Sequence, residues 1–307
     1  MPDTATTAAS ASPTAALADF ETYRPDLGRL AYRILGSRAD ADDVLQEAYL
    51  RWSAADISVV RAPRSFLATI VTRLSIDRRR EIDARKETYI GPWLPEPIVE
   101  PAMSTANHPT ELAEAVSLAL MHVLETLSPV ERAAYLLRKV FDYDYAEIAE
   151  MLEKNEANCR QLVSRAEAHV KEARPRFTAS HAATRRMSER FLAACATGEL
   201  SGIVQLLSED IVIFSDGGGK AIAAHRPLVG IDDAARFLHG INRKHSLSAH
   251  AEHVMVNDEP GIAIFDGPQL VTIIGFDLDG EQIRRLYFIR NPEKLARAQA
   301  ALANGSP

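Results

Sequence analysis

Asp40-Ala41-Asp42-Asp43-Val44-Leu45-Gln46-Glu47-Ala48-Tyr49-Leu50-Arg51-Trp52 is the stretch on which the reading of this chain turns. From Ala41 to Trp52 the apolar residues Val44, Leu45, Ala48, Tyr49 and Trp52 recur at helical spacing and form one stripe of an α-helix. Asp42, Asp43, Gln46, Glu47 and Arg51 fall on the other side. Such a helix buries its stripe in a bundle and presents an anionic face to a basic partner.

The same periodicity extends outward in both directions. Upstream, Leu27, Leu30, Ala31, Ile34 and Leu35 stop at Gly36, a helix terminator. Downstream, Pro63 suits the first turn of a third helix in which Phe66, Leu67, Ile70, Val71, Leu74 and Ile76 pack inward. Residues 17–88 therefore read as an all-helical module. Its last helix carries Arg73, Arg78, Arg79, Arg80, Arg85 and Lys86, interrupted only by Asp77, Glu81 and Asp83. The formal net charge of -7 excludes a protein that coats nucleic acid, so phosphate binding has to be local. A solvated helix face would have the same composition.

Prolines 92, 95, 97, 101 and 109 forbid regular helix between residues 89 and 110, which read as an extended linker. Within it, Trp93-Leu94-Pro95-Glu96-Pro97 places two large apolar side chains where a spacer would be polar, which points to docking on a surface. Residues 111–175 return to helical spacing through Val116, Leu120, Val123, Leu124 and Leu127, and Ser128-Pro129 is an N-cap followed by proline at the first helical position. Tyr145 to Leu152 and Ala157 to Lys171, joined by Glu153-Lys154-Asn155-Glu156, follow the helix-turn-helix plan, with Asn155 capping the second helix.

From about Arg185 the pattern changes, and residues 185–307 read as an α+β domain. Helices are expected at Met187 to Ala196, Leu200 to Leu207 and Asp232 to Ile241. Strands are expected at Ile211 to Ser215, Ala221 to Arg226, Ala249 to Val256, Gly261 to Phe265, Leu270 to Asp277 and Gln282 to Ile289, with Asp279-Gly280 as a hairpin turn. No apolar run reaches the roughly 18 residues of a membrane span. Residues 1–16 lack the basic and apolar segments of a signal peptide and read as a disordered tail, so the expected location is the cytoplasm. Cys159 and Cys195 have no partner spacing for a disulfide or zinc site, and no nucleotide-binding glycine motif occurs, so neither metal nor cofactor is expected.

The opening helix resembles the polymerase-binding helix of region 2 of bacterial RNA polymerase sigma factors of the extracytoplasmic function type. Arg64-Ser65-Phe66-Leu67-Ala68-Thr69-Ile70 and Leu74-Ser75-Ile76-Asp77-Arg78-Arg79-Arg80 are similar to the promoter-melting, -10-reading part of the same region. The helix-turn-helix stands where region 4 would. The resemblance implies core RNA polymerase (its beta-prime clamp and beta flap) and promoter DNA as partners, and no membrane. It implies polymerase contacts at Asp40, Asp42, Asp43, Gln46 and Glu47. Arg73, Arg78, Arg79 and Arg80 would serve the -10 element. The exposed recognition-helix positions Asn158, Arg160, Gln161, Ser164 and Arg165 would meet base edges at the -35 element. Glu153 and Lys154 stand where glycine and an aliphatic residue are commoner in the family, and Arg73 where asparagine is common, which leaves the promoter sequence open.

The last domain resembles the SnoaL-like fold, a cone with a curved antiparallel sheet. Trp93-Leu94-Pro95-Glu96-Pro97, Asp216-Gly217-Gly218-Gly219-Lys220 and Asn291-Pro292-Glu293-Lys294-Leu295 resemble the signatures of sigma factors that carry this domain in place of a separate anti-sigma protein. The resemblance implies that these segments form an interdomain, regulatory contact. Asp216, Lys220, His225 and Arg226 are expected at the mouth of an apolar pocket that takes an unidentified small ligand. A sigma factor regulated by its own C-terminal domain, and not an enzyme, is the reading adopted. The alternative is a DNA-binding regulator fused to a SnoaL-like small-molecule enzyme with Asp216 or His225 as general base.

Overall fold

The computed structural model describes residues 13–102, 117–173, 179–197, 200–242 and 249–304. In chain order the elements begin with helices α1 (Pro13–Leu35), α2 (Arg38–Ala54) and α3 (Pro63–Lys86), then strand β1 (Val99–Pro101) and helix α4 (Leu118–Leu124). Helices α5 (Pro129–Lys139), α6 (Tyr145–Leu152), α7 (Glu156–Ala173), α8 (His181–Thr197) and α9 (Leu200–Val204) follow. The remainder is β2 (Leu207–Asp216), β3 (Leu228–Val229), α10 (Ile231–Asn242), β4 (Ala249–Val256), β5 (Glu259–Asp266), β6 (Gln269–Asp279), β7 (Gln282–Ile289) and α11 (Pro292–Asn304). Their described residues form two compact units, one from Met1–Ala84 with Leu127–His169, the other from Arg85–Thr126 with Val170–Pro307. Among the described residues no helix is long and apolar enough to cross a membrane.

The first unit is all helix. Gly36 takes a φ of 73° and ends α1, and the Ser37 hydroxyl then caps α2 by accepting the Asp40 N–H at 3.2 Å. Ala41, Val44, Leu45, Ala48 and Trp52 are buried, as the stripe requires. In α3 the inward side is Leu67, Ala68, Val71, Ile76 and Ile82. Phe66, expected inside, is 37% exposed and tilts against the Trp52 ring, because α3 turns its Leu67 side to the core. Capping boxes open α5 (Ser128 with Glu131) and α6 (Asp144 with Glu147). Asn155 accepts the Asn158 N–H at 2.8 Å and caps α7.

The second unit is a seven-stranded sheet in the order β1-β4-β5-β6-β7-β2-β3. All pairings are antiparallel except β2 with β7, which is parallel, so the sheet is mixed rather than purely antiparallel. Both faces are covered. Ile274, Phe276, Leu286 and Phe288 pack with Met187, Phe191 and Leu238 of α8 and α10. Ile273, Tyr287 and Ile289 point the other way, onto Leu94, Leu118, Leu295 and Leu302. Burial on both faces is why β6 and β7 read as near-continuous apolar runs.

Several expectations are corrected here. Ala221 to Arg226 is not a strand: the Lys220 and Ala221 N–H groups return to the Gly217 carbonyl at 2.9 and 3.0 Å, closing a turn that delays pairing to β3. The helix expected over Leu200 to Leu207 stops at Val204, and Leu207 opens β2. Helix α1 starts at Pro13, inside the segment read as a tail, whose first 12 residues lie outside the described ones. Pro109, Glu111 and Val116 also lie outside them. Helix α4 belongs to the second unit, where it packs on β6. Helix α11 was legible only as a signature at its first residues.

The turn between α6 and α7 carries a strained residue. Glu153 adopts a left-handed φ of 53°, while the Lys154 N–H reaches the Ala149 carbonyl at 2.9 Å in a glycine-type helix stop. Holding a side chain there costs about 1 kcal/mol, and the exposed Arg73–Glu153 ion pair at 2.8 Å offsets little of it. Glu153→Gly should raise the midpoint of thermal unfolding by about 2–4 °C; an unchanged or lower midpoint contradicts the strain argument.

Candidate nucleic-acid interface and linker clamp

The side chains of the anionic face of α2 differ in exposure. Asp42, Asp43 and Gln46 are exposed, Asp40 and Glu47 half-buried. Arg78 stands 3.7 Å from Asp40 and 3.6 Å from Asp43, and Arg51 pairs with Glu47 at 2.9 Å, so the face is partly countered from within.

The arginines of α3 separate into different roles. Arg80 is exposed beside Asp77, and Arg78 is half-buried. Arg79 is 1% exposed, pairs with Asp83 at 2.9 Å, and donates to the Ile34 and Leu35 carbonyls at 3.4 and 3.2 Å. It closes the C-terminal end of α1 and leaves the set of side chains that can reach DNA. Arg73 is engaged inside the same unit: its Nε and Nη2 donate to the Met151 and Glu150 carbonyls at 3.0 and 2.8 Å, at the C-terminal end of α6. On α7, Asn158, Arg160, Gln161, Ser164 and Arg165 are all exposed, while Cys159, Val163 and Ala166 face the core. The Arg160 guanidinium lies 4.2 Å from the Tyr145 ring centroid and 2.9 Å from Glu156, which fixes its direction.

In the second unit the three signature segments converge. Asp216 is fully buried at the end of β2. One carboxylate oxygen accepts the Tyr89 hydroxyl at 2.5 Å, and the other accepts the Leu94 N–H at 2.9 Å and the Lys294 ammonium at 2.7 Å. Lys294 also donates to the Leu94 carbonyl at 2.5 Å and lies 3.6 Å from the Trp93 ring centroid. Asn291 donates to the Tyr89 hydroxyl at 2.9 Å. Burial, with the nearby Asp216 charge, holds the Tyr89 phenol well above its ordinary range, so it stays a donor. Burial lowers the Lys294 pKa while Asp216 pulls it back up.

Gly217 to Gly219 make this approach possible. A β-carbon at Gly218, whose φ is 60°, would overlap the Asn291 amide and the Tyr89 hydroxyl. Leu94, Pro95, Glu96 and Pro97 are buried, and β1 continues the linker as an edge strand with Val99 opposite Val256. The flanks of the linker also meet, since Lys86 pairs with Glu125 and both are largely buried. Tyr89 and Glu125 were not singled out from the sequence, and Lys86 only as a member of the basic run that ends α3; an aromatic residue ahead of the tryptophan was the one available signal.

Asp216 therefore does not stand at a pocket mouth. Lys220 is exposed and pairs with Glu293, and His225 and Arg226 are exposed outside the lining of the apolar cavity. That cavity is walled by Phe191, Leu238, Ile264, Ile274 and Phe288, with Arg290 at its edge. Pro292 and Glu293 are exposed in the first turn of α11, and Leu295 is buried.

Comparison with known proteins follows this geometry. Residues 20–85 match the family model Sigma-70 region 2, and residues 117–170 match Sigma-70, region 4. The ECF RNA polymerase sigma factor SigJ of Mycobacterium tuberculosis is 36% identical over 290 residues, covering 91% of this chain and 92% of the relative. The probable ECF RNA polymerase sigma factor SigI of the same species is 25% identical over 294 residues, covering 94% and 97%. The crystal structure of M. tuberculosis SigJ matches with a TM-score of 0.73 at 34% identity, over 91% of this chain and 98% of that one.

Asp216→Asn leaves a buried ammonium without its counter-charge and should destabilise the second unit by about 3–5 kcal/mol; Asp216→Asn with Lys294→Met should recover part of that loss in denaturant titrations. His122 of α4 lies tilted against Phe214 and edge-on to Tyr287, and burial lowers its pKa from 6.5 to about 4. Between those values the unfolded chain binds a proton that the folded one rejects, so stability is lost as pH falls from 6.5 towards 4, by up to about 3 kcal/mol. His122→Leu should flatten that segment of the stability curve, and an identical slope would contradict the assignment.

Proposed function

The chain belongs to the extracytoplasmic function RNA polymerase sigma factors, and from that premise we propose that its sheet domain regulates promoter recognition by holding the linker between region 2 and region 4. Sigma factors direct RNA polymerase to initiate transcription at specific promoters, and both DNA-handling regions of the family are present in order. The acidic face of α2, with Asp40, Asp42, Asp43, Gln46 and Glu47, grips core polymerase. Arg73, Arg78 and Arg80 serve the -10 element, and Asn158, Arg160, Gln161, Ser164 and Arg165 read the -35 element. The protein acts by binding in the cell interior, where polymerase and promoter lie, and not by turnover.

The observation that carries the regulatory part is the clamp on the linker. The linker's flanks are tied by Lys86 and Glu125, and its middle is locked by Asp216, Asn291 and Lys294. A linker so shortened limits how far the two regions can part. Arg73 meanwhile is occupied by the carbonyls that end α6, so it must be released before it can meet DNA. Releasing the linker is then the step that arms the molecule.

Reconstitution of the full chain with core polymerase on a target promoter tests these roles. Asp43→Lys with Glu47→Lys should weaken holoenzyme assembly at least about tenfold, as expected for repulsive charge at an electrostatic interface. Arg160→Ala should spare assembly and lower -35-dependent binding by about 1–3 kcal/mol. The reverse partition would reassign both helices, and unchanged transcription by Lys294→Met would remove the clamp from regulation.

A further inference from the structure

The cavity on the face of the sheet that α8 and α10 cover, lined on α8 by Phe191, Leu192 and Cys195, has a volume of about 210 Å³. Its strand lining comes from Ala249 of β4, Ile264 and Asp266 of β5, Val271, Thr272 and Ile274 of β6, Phe288 of β7 and, just past it, Arg290. The walls are mostly apolar, with Asp266 and Thr272 among them, and Cys195 is held neutral because burial raises its pKa to about 11.

Arg290 supplies the cation in this wall. Its Nε is buried and donates to nothing among the described residues, while Nη1 donates to the Ile222 carbonyl. Burial disfavours its charged form, and no carboxylate is paired with it among the described residues. A second cavity, lined by Ile222, Ala223, Phe237 and Gly240, shares Ile241 and Arg290 with the first, so the guanidinium stands where the two meet. An unpaired buried donor on a cation facing an apolar cavity is a recognition element for an anionic acceptor. Asp266 lies two strand ladders away and two residues along the register, and its charge disfavours a ligand with a second negative group.

We propose that this cavity binds a small monocarboxylate with an apolar body, its carboxylate held by Arg290, as an effector of the linker clamp. The coupling follows the chain. The Arg290 and Asn291 N–H groups both donate to the Asp216 carbonyl, at 2.7 and 2.9 Å, and Asn291 donates onward to Tyr89. An anion that draws the Arg290 side chain from Ile222 pulls on the residue next to the clamp. This part rests on the clamp having a regulatory role; the site itself does not.

Calorimetric titration of the full chain with benzoate and hexanoate, each beside its uncharged amide, tests the site. Both acids should bind saturably, and both amides at least about tenfold more weakly. Arg290→Met should erase that preference, Arg290→Lys should keep part of it, and Cys195→Phe should block all four probes while far-ultraviolet dichroism shows the fold retained. Equal affinity for acid and amide, or no saturable acid binding up to about 10 mM, beyond the range of even weak ligands, overturns the proposal. The coupling is read separately. The two tryptophans are Trp52 and Trp93, and a 5-fluorotryptophan signal at Trp93 should shift on acid binding while that of Trp52 stays still. Binding that leaves Trp93 unmoved overturns the effector role, whereas the clamp itself is judged by transcription with Lys294→Met.

Discussion

A carboxylate taken wholly out of water has to be met by donors, and Asp216 recruits them from two other parts of the chain. Tyr89 and Leu94 come from the linker and Lys294 from the C-terminal helix, so one buried charge makes the fold of the sheet domain conditional on linker residues far away in sequence. Removing any one donor leaves a desolvated charge, which costs far more than an exposed ion pair is worth. The linker is thereby a structural part of the second unit, and β1 extends the same logic along the sheet edge.

In the proposed reading, that incorporation is what lets the domain act on the helices on either side of the linker, through chain length. Within the helical unit, Arg73 on the carbonyls of α6 and the buried Arg132, whose Nε donates to the Arg33 carbonyl at 2.8 Å, join α1 and α3 to the helix-turn-helix region. Of these polar contacts, that of Arg73 is exposed enough for a competing phosphate backbone to replace, whereas that of Arg132 is fully buried.

Much of this was legible in the residues. The stripe from Val44 to Trp52, the Ser128-Pro129 start and the Asn155 cap rest on local rules and lie where periodicity places them. The signature segments were legible as belonging together, but their chemistry was not: nothing local tells that Asp216 is buried rather than at a pocket rim, because its environment is made by residues 89–94 and 291–294. Arg79 fails for the same reason. In a run of three arginines only the helix phase against α1 decides which one points inward. The apparent strand at Ala221 to Arg226 shows alternation overruled by the glycine turn before it, and α11 was hidden by attention to its first turn alone.

The central claim is that the buried clamp restrains the two helical regions through the linker. It is tested most directly by the distribution of distances between spin labels at Gln46 on α2 and Gln161 on α7, compared in the intact chain and in Lys294→Met. A narrow distribution that broadens to longer distances on loss of the lysine is the predicted result. The same narrow distribution in both proteins would contradict it.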